Sequence, residues 1–248
     1  MAGKKRVAGS IIAAVIVVLI LVVGVALYYV YSSKSSNSST ANGIELAKTG
    51  YSDPADYEAG KGIYLSSKGV DVLDKNLPTF EIYMDYTCVH CVHFEKKYSK
   101  EISELVKSGK MNVIYRPVNV LQQDYSKYVS SAVIEVLKSA DKDKFFEFHS
   151  KLTENVADYF DTKDESKITL EYIDKLAKEA GISDETIAKF KNTKYDKYID
   201  TTLERWMQRP LFKGESIGTP TFVLDGKVVS LADIENAGSL AKFIEANK

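Results

Sequence analysis

The sequence predicts an α/β fold in which a long all-helical insert separates two regions that mix strands and helices. In the first region, the aromatic and β-branched residues at 79–84 predict a strand, and the apolar spacing after it predicts a helix. Helical periodicity then continues from about residue 124 to 205. Beyond it, β character returns at 221–229 around Asp225-Gly226, a strong signal for a two-residue hairpin turn.

The N-terminus predicts a single-pass transmembrane anchor in the cell membrane. Residues 11–30 are apolar or aromatic with only Gly24 between them, and a run of 20 can cross a bilayer as a helix. Because Lys4, Lys5 and Arg6 precede the run, we expect a cytoplasmic N-terminus and an extracytoplasmic remainder. The alternative is a cleaved signal peptide, but its apolar core is usually only about 7–15 residues long.

Composition divides the chain into three parts. Residues 1–31 form the predicted cytoplasmic tip and anchor, and residues 32–43 form a serine-rich flexible linker. Residues 60–248 form the predicted folded domain, with the helical insert at about 124–205.

The charge of the folded part argues against nucleic acid as a partner. The chain has 33 basic residues, of which three precede the anchor, so 30 basic and 34 acidic residues remain and give a net charge of −4. A nucleic-acid-binding domain normally carries a basic surface.

Other elements follow from local signals. A short first strand is predicted at 62–65, and a further strand at 111–116 ends at Pro117. Within the insert, Thr169 and Ser183 are predicted N-caps of helices. Apolar spacing indicates the remaining helices around residues 129–140, 145–152, 199–206 and 240–244.

The only two cysteines, Cys88 and Cys91, lie three residues apart at the predicted strand-to-helix junction. Residues three apart share a helix face, which suits a reversible disulfide. The helix N-terminus favours a thiolate by about 0.3–1 kcal/mol, and His90 between the cysteines can add positive charge or a hydrogen bond. A stabilised thiolate makes the disulfide a stronger oxidant.

Two other interpretations of the cysteine pair are weaker. A zinc site needs about four ligands, and the strong candidates beyond the cysteines are only His90, His93 and His149, so no metal site is predicted. A structural disulfide that closes so short a loop would constrain little of the unfolded chain. We expect His149 to pack in its helix and His93 to be exposed.

The segment 217–222 is the second signal of chemistry. Proline directly before a strand is unusual because it removes a donor from the sheet. The Thr219–Pro220 bond is therefore a candidate cis peptide, although a trans bond is the more common state.

Together these features resemble one family. A strand ending in C-x-H-C at a helix start, a helical insert and the segment 217–222 before a hairpin resemble the DsbA-type thiol–disulfide oxidoreductases of the thioredoxin superfamily. Residues 144–152 and 176–181 also resemble parts of that family's insert. The resemblance covers roughly residues 60–247 and implies a thioredoxin-like fold.

The resemblance also implies roles for site residues. Thr219-Pro220 would be cis and lie beside the disulfide, with the Thr219 backbone pairing with substrate like an added strand. Cys88 would be the exposed attacking thiol and Cys91 the buried resolving thiol.

This sequence departs from the family pattern at two positions. Many members carry a buried acid six residues before the first cysteine, where this chain has Ile82. Asp85 is the nearest candidate for the proton relay, and Glu81 is a second. Val89 stands where proline is common, so the redox potential is open.

We therefore expect a membrane-anchored, extracytoplasmic oxidoreductase that donates the Cys88–Cys91 disulfide to reduced secreted or cell-surface proteins through a mixed disulfide at Cys88. A quinone-linked membrane thiol oxidase would restore the disulfide, and no further cofactor is expected. The protein is expected to be a monomer. Isomerases of this type often need a separate dimerisation domain, and residues 32–60 are short for one. The alternatives are a reductase or isomerase of the same fold, or a non-catalytic substrate-binding module.

Overall fold

The computed structural model describes residues 62–139, 142–192, 195–212 and 218–247. The predicted anchor and the serine-rich linker lie outside these residues, so both stay predictions. In the described ranges, no helix combines the length and the apolar character needed to span a bilayer.

The described chain forms strands and helices in the order that the sequence predicts. The elements are β1 Ile63–Ser66, β2 Gly69–Val70, β3 Thr79–Met84, α1 Val89–Lys107, β4 Asn112–Pro117, α2 Asp124–Ser139, α3 Lys142–Thr162, α4 Leu170–Glu179, α5 Asp184–Ile187, α6 Asp196–Gln208, β5 Thr221–Leu224, β6 Lys227–Val229, α7 Leu231–Asn236 and α8 Leu240–Ala246. Short 3-10 helices lie at Glu165–Ile168 and Pro210–Phe212.

The strands form one mixed sheet in the order β2-β1-β4-β3-β5-β6. Among the described strands, only β3 and β4 pair in parallel, as expected for two strands joined through a helix, and the other neighbours pair antiparallel. In the centre, Ile82 lies opposite Tyr115 on one side and Phe222 on the other. The hairpin prediction is confirmed, because Asp225 and Gly226 connect β5 and β6 with positive φ angles of 47° and 81°.

Helix α1 packs its apolar stripe on one face of this sheet. Phe94, Tyr98, Ile102 and Leu105 are buried with Ile82 in the main core. The helix ends where the sequence predicts, because the N–H groups of residues 109 and 110 bond to carbonyls of the last turn and Gly109 has φ 68°.

Two of the helices between β4 and β5 begin at predicted caps. The Thr169 hydroxyl accepts from the Tyr172 N–H at the start of α4, and the Ser183 hydroxyl accepts from the Thr186 N–H at the start of α5. His149 of α3 is fully buried, as predicted. His93 of α1 is partly exposed, with 40% of its side chain accessible, and pairs with Asp161.

The opposite face of the sheet buries a cluster of charges. Because strand residues alternate between faces, Glu81 and Tyr83 point away from α1. Glu81 is fully buried and accepts from Arg116 Nε at 2.7 Å and from Arg209 Nη1 at 3.2 Å. Arg209 also donates to the Tyr83 hydroxyl. The carboxylate therefore joins β3 to β4 and to the segment after α6.

Replacing Glu81 with alanine should destabilise the protein by about 3–5 kcal/mol, because two buried guanidinium groups lose their carboxylate partner. Denaturant unfolding measures this change. Glu235→Ala is the control, since Glu235 pairs with Lys97 at the exposed surface and its loss should leave the free energy of unfolding almost unchanged. Equal stability of the two variants would contradict a structural role for the cluster.

Candidate active site

The cysteine pair lies where β3 turns into α1. Cys88 is the N-cap of α1, with an extended backbone (φ −85°, ψ 119°), and its carbonyl accepts from the Val92 N–H at 3.1 Å. Cys91 lies in the first turn of the helix. Both are free thiols, with 8% of Cys88 and 1% of Cys91 exposed. Cys88 is thus at the edge of the core, and Cys91 is inside it.

Asp85 holds the turn that presents Cys88. Its side chain is fully buried, and Oδ1 accepts from the Thr87 N–H at 2.8 Å, the Thr87 hydroxyl at 2.6 Å and the Ser126 hydroxyl at 2.7 Å. Oδ2 accepts from the Leu121 N–H at 3.1 Å. The Asp85 carbonyl accepts from the Cys88 N–H at 3.0 Å. Four donors engage the carboxylate, which supports a role in positioning the turn, and the proton relay at Asp85 stays a prediction.

Glu81, the second relay candidate, is not brought to the thiols. It lies on the sheet face opposite α1, and its carboxylate is bound by Arg116 and Arg209. The physical reason is the two-residue period of the strand, since neighbouring Ile82 is the residue that faces the cysteines.

The loop before β5 meets Cys88 from the other end of the chain. The Thr219–Pro220 peptide bond is cis, as the sequence suggested. In its protonated form the Cys88 thiol donates to the Thr219 carbonyl at 3.2 Å, although 131 positions separate the two residues. The predicted neighbour of the cysteine pair is therefore in place. Residue 217 of the same motif lies outside the described residues.

Hydrogen bonds favour the thiolate of Cys88. The largest influence on the Cys88 pKa is the hydrogen bond from the Cys91 thiol. Further bonds come from the Thr219 side chain and from the backbone amides of Cys91 and His90. Together they lower the Cys88 pKa to about 5, although burial acts in the opposite direction. The His90 ring is exposed, so His90 contributes through its backbone rather than through the side chain that the sequence suggested.

Cys91 has the opposite character. Burial raises its pKa well above the ordinary value, and the hydrogen bond that it donates to Cys88 acts in the same direction. At neutral pH the reduced pair therefore holds one thiolate, on Cys88, and one proton, on Cys91.

Sequence reasoning missed the polar groups behind Cys91. Glu95 is fully buried on α1, four residues after Cys91, and Glu95 Oε2 lies 3.2 Å from His149 Nε2. The spacing of four was a usable signal, since it places Glu95 on the same helix face as Cys91. Among the described residues, no group of three or more His, Cys, Asp or Glu side chains is arranged to hold a metal ion.

Comparison with known proteins gives a consistent picture. The family model described as Thioredoxin matches residues 74–246. The chain is similar to MdbA, a thiol-disulfide oxidoreductase from Actinomyces oris, with 30% identity and a TM-score of 0.58 over 64% of this chain and 75% of that one. The comparison with curated proteins finds no match.

Two further solved structures share the fold at lower identity. MdbA from Corynebacterium diphtheriae has 19% identity and a TM-score of 0.56 over 78% of this chain and 96% of that one. Oxidised DsbA from Mycobacterium tuberculosis has 21% identity and a TM-score of 0.55 over 74% of this chain and 91% of that one. These two likenesses extend the shared architecture over most of the domain.

In the reduced protein, alkylation of Cys88 by iodoacetamide should titrate with a pKa of about 5. Cys91→Ala removes the strongest hydrogen bond, so the midpoint should move up toward about 8.5, the value of a free thiol. Mass spectrometry of protein quenched at increasing pH measures both curves. A wild-type midpoint of about 8.5 would contradict the described geometry.

The lowered pKa of Cys88 should also make the free energy of unfolding of the reduced protein depend on pH. Because the Cys88 pKa is lower in the folded than in the unfolded chain, the reduced protein gains stability relative to Cys88→Ser above about pH 8.5. That gain should shrink as the pH falls and be absent below a pH of about 5. Denaturant unfolding of both reduced proteins across this range is the check.

Proposed function

This chain belongs to the thioredoxin family, and from that premise we propose that it is a thiol–disulfide oxidoreductase that donates the Cys88–Cys91 disulfide to reduced proteins. The observation that carries the proposal is the asymmetry of the pair. A hydrogen-bonded thiol of low pKa lies at the rim, and a buried thiol of high pKa lies behind it. The likeness to the Actinomyces oris oxidoreductase supports the same chemistry.

The reaction proceeds in two exchanges. A substrate thiolate attacks Cys88 Sγ, the Cys88–Cys91 bond breaks, and Cys91 leaves with the electron pair and takes up a proton. A second substrate thiol then attacks the substrate sulfur of the mixed disulfide, and Cys88 leaves as a thiolate. The substrate loses two electrons and two protons in total, and the cysteine pair is left reduced.

The low pKa of Cys88 supports the oxidising direction. A thiol of low pKa is a good leaving group, so release of the oxidised substrate from Cys88 is fast. The same stabilisation lowers the free energy of the reduced protein, which makes its disulfide the stronger oxidant. A reductase or isomerase would need a reduced form that is less stable relative to its disulfide form.

The surroundings of Cys88 suit an extended, partly apolar substrate. Thr219 offers its main chain directly beside the thiol, where an extended peptide can pair as an added strand next to Pro220. Val89 and Leu121 are apolar side chains with 36% and 49% exposure, and Leu121 is tied to the active-site turn through Asp85. Unfolded secreted or cell-surface proteins present such segments.

The location and the recycling partner are inferred from the N-terminal sequence. The apolar run 11–30 with basic residues before it would hold the catalytic domain outside the cytoplasm as a monomer on a single-pass anchor. A quinone-linked thiol oxidase in the same membrane would then reoxidise Cys88 and Cys91. The reaction itself uses only this disulfide.

The reduction potential of the Cys88–Cys91 pair decides the direction. Equilibration with glutathione buffers should give a value near −120 mV, on the order of that of a strong oxidant. A potential on the order of −270 mV, typical of a reducing thioredoxin, would contradict the oxidase proposal.

Single-cysteine variants test the order of attack. With a client that carries a disulfide, Cys91→Ala should accumulate a mixed disulfide at Cys88, because the Cys88 thiolate displaces one client sulfur and no Cys91 thiol remains to release the client. Cys88→Ala should form no such complex, since Cys91 is buried. Non-reducing gels of both variants give the comparison, and client oxidation that persists in Cys88→Ala would point to a non-catalytic binding module.

A further inference from the structure

A buried acid–base cluster lies behind Cys91, and the exchange steps above make no use of it. It consists of Glu95 on α1, His149 on α3, Tyr86 in the active-site turn and Tyr115 on β4, all with 0% exposure. His149 Nε2 lies 3.2 Å from Glu95 Oε2, and its Nδ1 lies 3.3 Å from the Tyr86 hydroxyl. The Tyr115 ring packs on the His149 ring with centroids 4.5 Å apart.

Such a cluster is unfavourable as plain core packing. Burying a carboxylate and an imidazole away from water carries a desolvation penalty, and apolar residues of similar volume usually give equal or greater stability. Within the described part of the chain, neither Glu95 oxygen has a hydrogen bond of good geometry, and its nearest basic group is His149. Buried polar groups that lack such bonds are rare in native proteins and indicate a functional constraint.

The cluster lies on the same side of α1 as the resolving thiol. Glu95 follows Cys91 by four residues and so lies on the same face of α1. Tyr86 belongs to the same core cluster as Cys91. Burial raises the Tyr86 pKa well above its ordinary value, with further contributions from the charges of Glu95, Tyr198 and Cys91. The titratable groups that act on Tyr86 are therefore Glu95 and Cys91 from α1 and Tyr198 from α6, and Glu95 also acts on Tyr115 from β4.

We propose that the Glu95–His149 pair is the proton reservoir of Cys91 and acts through the Tyr86 hydroxyl. The proposal rests on the function proposed above, in which Cys91 leaves as a thiolate. When the disulfide opens, Tyr86 gives its proton to Cys91 Sγ and regains one from His149 Nδ1. One proton moves from the pair to the thiolate, and no electron moves in this step. When Cys91 later attacks a disulfide, the proton returns along the same path.

The proposed reservoir also replaces the buried acid that many family members carry where this chain has Ile82. That position offers no acid to serve the buried thiol from the sheet, and Asp85 and Glu81 are engaged elsewhere. Glu95 and His149 approach Cys91 from α1 and α3 instead. They are positioning residues, because they act on the sulfur through Tyr86.

The test measures how fast dithiothreitol reduces the Cys88–Cys91 disulfide at several pH values. Dividing each rate by the concentration of dithiothreitol thiolate gives a rate constant that reports on the protein alone. In the wild type, this rate constant should fall as the pH rises and the reservoir empties. Glu95→Gln keeps the side-chain shape but holds no proton, so the rate constant should fall at least about tenfold at neutral pH and lose its pH dependence.

Two further variants make the result specific. His149→Gln should give the same loss, and the double variant should be no slower than either single variant, because the two residues act as a unit. Glu135→Gln is the matched control, since Glu135 is 2% exposed on α2 and the substitution changes the charge equally. Its pH profile should equal that of the wild type, and melting temperatures separate any common loss of stability.

The outcomes distinguish the two proposals. Wild-type rates and pH profiles in both Glu95→Gln and His149→Gln overturn the reservoir alone, because a small dithiol reports on Cys91 whatever the client or direction. A wild-type disulfide that does not exchange with dithiothreitol overturns the proposed function, and the reservoir with it. Should Glu95→Gln not fold, the His149→Gln profile decides the matter in the same way.

Discussion

The chemistry of this protein depends on hydrogen-bond donors that separate parts of the chain bring to the Cys88 sulfur. The start of α1 supplies backbone amides at His90 and Cys91, the Cys91 thiol adds a third donor, and the loop before β5 adds Thr219. None of these groups carries a formal charge. The site therefore stabilises an anion with oriented dipoles at a helix N-terminus, which work only if the turn held by Asp85 keeps its shape.

Much of the fold and of the site could be predicted because the signals are local. The spacing of Cys88 and Cys91, the Asp225-Gly226 turn and the Thr169 cap each depend on a few consecutive residues whose conformational preferences are strong. The same holds for β3, whose residues are all buried. Only the meeting of the two distant motifs needed more than local preference, and there the resemblance to a known family supplied the missing information.

The parts of the fold and of the site that local signals do not predict depend on which face of a helix or strand is covered, and on which element covers it. A shift of one residue decides that Ile82 faces the cysteines while Glu81 faces Arg116 of the neighbouring strand, so nearness in sequence did not bring Glu81 to the thiols. In the sequence, Glu95 is one of many acidic residues on predicted helices. In the fold, α3 covers it and brings His149 Nε2 to 3.2 Å from Glu95 Oε2. Burial of this kind is a tertiary property, and hydrophobic periodicity alone does not reveal it.

The helical insert is therefore part of the active site and not an appendage to the sheet. Helix α2 contributes Ser126, whose hydroxyl bonds to Asp85 in the turn before Cys88. Helix α3 contributes His149, the partner of Glu95 behind Cys91. Each thiol thus depends on one helix of the insert, Cys88 for its position and Cys91 for its polar environment. Movement of the insert against the sheet would alter both thiols together, which links the stability of the insert to the redox properties of the pair.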